Sequence, residues 1–123
     1  TPLGEVVAAA SWALAPGARL VAFMIHPCFR VPRQSGWGFD AGRKLTYRRV
    51  DRYLTPLDVP MKTHEQGVTR SYHRPLSAYM SAFRSAGLVL DELLELPDVP
   101  LPGKRDENPD IPLFLALRAR KLE

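Results

Sequence analysis

The run Leu20-Val21-Ala22-Phe23-Met24-Ile25 carries no polar side chain, and residues that interrupt regular structure stand on both sides of it. Pro16-Gly17 precedes it as a turn pair, since proline pre-sets a negative φ and glycine accepts the positive φ that follows. His26-Pro27 ends it, because proline cannot donate to a ladder and restricts the residue before it. A strand with one wet face would alternate apolar and polar residues. This run does not, which predicts a strand from Arg19 to Ile25 covered on both faces, as in a sheet sandwiched by helices. Ligands in open α/β sheets gather at the carboxyl ends of strands, so His26 is a candidate for catalysis or recognition.

Elements on either side fit an α/β order. Thr1-Pro2 pairs a good N-cap with proline at the first helical position, and Leu3, Val7, Ala10 and Leu14 recur at helical spacing, with Val6 and Trp12 widening the stripe. Residues 28–72 change character: Gly36-Trp37-Gly38-Phe39 and Gly42 suggest irregular backbone, Lys44 to Leu54 an exposed strand, and Val68 to Tyr72 a second alternating run. This predicts one basic, aromatic-bearing β-hairpin inserted in a single domain spanning 1–123. His73-Arg74-Pro75-Leu76 then starts a second helix with Leu76, Tyr79, Met80, Phe83 and Ala86 on its apolar face and Gly87 closing it. Leu88 to Leu96 is a strand, Pro97 to Asn108 a loop rich in proline and charge, and Ile111 to Lys121 the last strand. With no crossover helix between them, the last two strands are expected to pair antiparallel or to lie one position apart.

Charge is concentrated. From Cys28 to Arg74 there are 10 Lys/Arg against 4 Asp/Glu, or +6, within a net charge of +4 for all 123 residues. Arg43, Lys44, Arg48, Arg49 and Arg52 interleave with aromatics as nucleic-acid surfaces do, although a solvated strand face accounts for them more simply. The single Cys28 excludes an internal disulfide framework and suits a reducing, cytoplasmic setting. Three histidines without ligand spacing give no metal site, and no run approaches the length of a membrane span.

Taken together, Pro16-Gly17, His26-Pro27, Tyr72-His73-Arg74-Pro75-Leu76-Ser77, Ala86-Gly87-Leu88, Glu95 and Pro112-Leu113-Phe114-Leu115, with a terminal lysine, resemble the second half of a class I S-adenosylmethionine-dependent methyltransferase. The resemblance covers almost the whole chain. It implies the C-terminal part of a Rossmann-like sheet, in the order helix, strand, insertion, helix, strand, strand, with the last two strands an antiparallel pair. It also implies S-adenosylmethionine as cofactor and a small-molecule substrate, methylated by direct displacement. His26 is then the candidate catalytic group. Trp37, Phe39 and Tyr47, with Tyr53, are candidates to wall or cover a substrate pocket, and His73 and Arg74 at the second helix's start are candidates for substrate contact.

The family's first-half signatures, a glycine-rich loop after its first strand and an acidic residue after its second, are not in this sequence; the glycines at 36 and 38 follow no apolar strand and open no helix. The expectation is therefore a partial domain, inactive alone, whose missing N-terminal half is its partner and whose cofactor contacts lie elsewhere. Its uncovered strand 20–25 would favour self-association. A free-standing basic α/β module for nucleic acid or protein is the alternative.

Overall fold

The computed structural model describes residues 2–62, 67–98 and 108–122. Helix α1 (Pro2–Ala13) leads through the Pro16-Gly17 turn, with Gly17 at φ 83°, into strand β1 (Arg19–Ile25). Two hairpins follow, β2 (Ser35–Asp40) with β3 (Leu45–Val50) and β4 (Leu57–Lys62) with β5 (Val68–His73). Helix α2 (Leu76–Ser85), β6 (Leu88–Leu96) and β7 (Phe114–Lys121) complete the chain. The main sheet has the order β1-β7-β6, with β7 antiparallel to both neighbours, so β1 and β6 run parallel to each other on either side of it. The antiparallel pairing expected of the last two strands is present.

The core follows from period-two alternation along β7. Leu115, Leu117 and Ala119 are buried and pack with Val7 of α1, Phe83 of α2 and Leu88, and Leu20, Ala22 and Met24 of β1 border them. Both helices therefore cover the same face of the sheet. Lys121 fastens α1 to that layer: its ammonium donates to the carbonyls of Ser11 and Leu14, 2.7 Å each, where α1 runs out of internal donors. The Ser11 hydroxyl donates to Ala86 O at 2.7 Å and ties α1 to the end of α2. Gly87, at φ 76°, takes the left-handed position past α2 that a side chain would resist.

Three expectations are corrected. The strand at 19–25 is covered on one face only: Val21 and Phe23 are 67% and 63% exposed, on the side opposite the helices. Phe23 stacks on Phe114 there, 5.4 Å between centroids, and β1 is an edge of the sheet. In α1, Val6 and Trp12 do not widen the buried stripe; Trp12 is 86% exposed. The insertion is two hairpins rather than one, and 35–40 is strand rather than irregular backbone. Its glycines suit the pairing, because Gly38 faces Tyr47 and a Cβ there would meet the Tyr47 ring at 2.3 Å. The Thr1 cap and most of the 97–108 loop lie outside the described residues.

Candidate functional site at the carboxyl end of the sheet

β1 and β6 both deliver their carboxyl ends to one rim of the sheet, where His26, just past β1, meets Glu95, the next-to-last residue of β6. His26 is 1% exposed, and its Nε2 lies 2.6 Å from Glu95 Oε2. Its Nδ1 accepts the Cys28 amide at 3.1 Å, a bond made possible by the tight turn that Pro27 opens. With Nδ1 accepting, the ring proton sits on Nε2 and is donated to Glu95. Phe29 stands edge-on to the imidazole, 5.0 Å between centroids, and completes its enclosure. The Glu95 side chain is 49% exposed and lines an open cleft of about 500 Å³ with Phe29, Pro97, Pro109, Asp110 and Pro112. A buried imidazole thus holds one carboxylate oxygen and leaves the rest of that carboxylate at the cleft.

The other candidates are dispersed. Trp37 and Phe39 share one face of the β2–β3 hairpin, where the Arg48 guanidinium lies 5.1 Å from the Trp37 ring centroid. Tyr47, opposite Gly38, lies on the other face. His73 is buried, with Nε2 2.6 Å from the Tyr53 carbonyl oxygen. The Tyr53 hydroxyl accepts the Leu76 amide at 2.9 Å, serving as a remote cap for an α2 terminus whose own Pro75 makes none. Burial pushes the Tyr53 phenol up from its ordinary pKa; the Leu76 amide opposes this and Cys28 reinforces it. His73 and Tyr53 therefore clamp the insertion to α2. Arg74 lies over the Tyr72 ring, 5.4 Å to its centroid. Glu95 stands in the sequence as one of the residues that carry the resemblance but not as a site candidate; its pairing with His26 spans 69 positions and leaves no local signal.

The β1-β7-β6 order, with a reversed strand between two parallel ones and both helices on one face, is the arrangement expected of the C-terminal part of a Rossmann-like sheet. No family model and no curated protein matches the sequence. Solved structures do match the fold. An S-adenosylmethionine-dependent methyltransferase from Mesorhizobium loti aligns at TM-score 0.70 and 26% identity, covering 97% of this chain and 55% of its own. A Listeria monocytogenes protein assigned to the same class aligns at TM-score 0.75 and 24% identity, with 98% and 55% coverage. The chain spans about half the length of these structures, and its fold is that of the C-terminal half of a class I methyltransferase.

Gly36 and Gly38 do not supply a glycine-rich loop of the kind that would cradle such a cofactor. They sit inside β2, hydrogen-bonded to β3, and open no helix. No described helix is long and apolar enough to cross a membrane.

Proposed function

We propose that this chain is the acceptor-side half of an S-adenosylmethionine-dependent methyltransferase acting on a small molecule. The fold match supports the class, and the His26–Glu95 pair carries the placement of the site. Methyl transfer by displacement needs donor and acceptor aligned, and a base only where the acceptor has a proton to lose. In this reading Glu95 meets the acceptor, and His26 acts through it as a positioning residue, because both its ring nitrogens are engaged. Trp37, Phe39 and Tyr47 contribute through the β2–β3 hairpin, which Arg48 ties to Phe29 beside the site, and His73 through its clamp with Tyr53 to α2, with Arg74 next to it over the Tyr72 ring. The cofactor supplies the electrophilic methyl group and is held by residues of the complementary half. That half would also cover the open face bearing Val21, Phe23, Phe114, Leu94 and Leu96.

Calorimetric titration of S-adenosylhomocysteine into this chain, and into the reading frame extended upstream to the length of the matching structures, tests the proposal. The expected result is silence from the chain and binding at about micromolar Kd by the extended protein. Binding by the chain alone would overturn the division of labour. Silence from the extended protein would overturn the methyltransferase reading itself.

A further inference from the structure

Behind the rim, on the open face of the sheet, the two hairpins enclose a cleft of about 400 Å³ that the His26–Glu95 pair does not use. Ile25 at the end of β1 forms one wall, Thr69 and Ser71 of β5 another, and Arg30, Arg33, Arg48 and Arg70 converge on it; none of the described lining residues is acidic. Four guanidinium groups gathered around one cavity repel one another, and such a gathering is stable where each is held and an anion completes it.

The holding is visible. Arg48 donates through Nε to Phe29 O at 2.8 Å and through Nη2 to Ser35 Oγ at 3.2 Å, locking the β2–β3 hairpin to the loop after His26. Arg33 donates through Nη2 to Pro60 O at 2.7 Å and does the same for the β4–β5 hairpin. Its backbone sits at φ 62°, a left-handed conformation that a side-chain-bearing residue adopts only against strain. Arg30 lies over the Phe114 ring, 5.4 Å to its centroid. Arg70 is held at the margin by Asp58, Nε to Oδ1 2.6 Å, which raises the Arg70 pKa further. The bonds of Arg33 and Arg70 fix each guanidinium plane while using only part of its fork of five N–H donors.

We propose that this cleft binds the anionic group, a carboxylate or a phosphate, of a small molecule. Taken with the proposed function, on which this last step rests, that molecule is the methyl acceptor: its anion is seated on Arg30, Arg33 and Arg70, at the end of the strand that continues into His26. Cleft size sets the scale, since about 400 Å³ admits a small molecule and not a folded partner. A guanidinium fork discriminates planar, bidentate anions, which a diffuse positive surface does not.

The test needs no cofactor, so its outcome is independent of the methyltransferase reading. Pyrophosphate and tricarballylate are titrated into the chain at low salt, followed by amide chemical shifts, with Arg30→Gln, Arg33→Gln, Arg33→Lys and Arg43→Gln alongside. Arg43 is a charge-matched control, 81% exposed beside Asp40 at the far tip of the β2–β3 hairpin. The expected result is saturable binding of at least one probe, weakened about five- to tenfold by Arg30→Gln and Arg33→Gln, partly restored by Arg33→Lys, and unchanged by Arg43→Gln. The probe that binds tighter distinguishes phosphate from carboxylate. Absence of saturation to about 10 mM would overturn the proposal. So would equal loss in Arg43→Gln, which would reduce the effect to net charge. Tighter binding of a single-stranded oligonucleotide, steeply salt-dependent and displacing the probes, would assign the arginines to nucleic acid instead.

Discussion

Replacing His26 by alanine and Glu95 by glutamine should separate stability from function, because the two partners are buried so unequally. His26→Ala removes a ring that is 1% exposed, strands the Cys28 amide without its acceptor and takes away the face against which Phe29 packs. An unsatisfied amide costs about 1–3 kcal/mol, and a lost aromatic contact with the cavity left behind adds about 1–2 kcal/mol. The sum is about 3 kcal/mol. Glu95→Gln keeps an oxygen that can accept from Nε2–H, on a side chain already half in water, so only the charge assistance goes, about 0.5 kcal/mol after solvent screening. In urea, with a slope of about 1–2 kcal/mol/M for a chain of this size, His26→Ala should lower the unfolding midpoint by at least about 1.5 M and Glu95→Gln by less than about 0.5 M. In the extended enzyme both substitutions should lower kcat, Glu95→Gln without loss of folded protein. Equal destabilisation by the two, or a loss under about 1 kcal/mol in His26→Ala, would refute the assignment of His26 as the buried anchor of the pair.

Tyr53→Phe should cost about 1 kcal/mol by leaving the first turn of α2 without its hydroxyl acceptor, measured by denaturant unfolding. In the parent chain the folded state favours the neutral phenol. That contribution is complete below pH about 10 and is lost as pH rises through the raised value, so ultraviolet titration should show one tyrosine ionising late. Lys121→Met should destabilise by about 1–3 kcal/mol, because two carbonyls at the end of α1 lose a cationic donor at once; no change in unfolding midpoint would count against that account. Analytical ultracentrifugation should show the chain self-associating across micromolar concentrations, with Phe23→Lys shifting it toward monomer; a parent chain that stays monomeric throughout would remove the case for an adhesive β1 edge and face.

Element positions were legible where punctuation and apolar runs coincide. Pro16-Gly17 and His26-Pro27 bracket β1, Pro75 and Gly87 bracket α2, and β6 ends at Leu96 before Pro97, as the local rules require. Contacts between distant segments were not legible. Gly36 and Gly38 look like loop residues until Tyr47 is seen across the hairpin, its ring in the space that a Cβ at Gly38 would take. Tyr53 gives no sign in sequence that its hydroxyl caps a helix 23 residues later, nor His26 that it will meet Glu95.

The misjudged covering of β1 has a different origin. An uninterrupted apolar run encodes what a strand is suited to have on both its faces, and that remains true whether or not the second layer belongs to the same stretch of chain. Here the first layer is α1 and α2, and the opposite face presents Val21, Phe23, Leu94 and Leu96, each at least 38% exposed. Burying one valine or phenylalanine is worth about 1.5–3 kcal/mol, so Val21 and Phe23 alone leave several kilocalories of driving force unspent. The charges confine where it can act. Arg19, Asp91, Glu92 and Arg118 pair among themselves at the amino end of β1, whereas the apolar patch runs toward the carboxyl end, where Arg30 lies over Phe114 and the arginine cleft opens. A covering layer that follows the apolar residues along β1 is thereby led to the rim where the proposed acceptor sites lie.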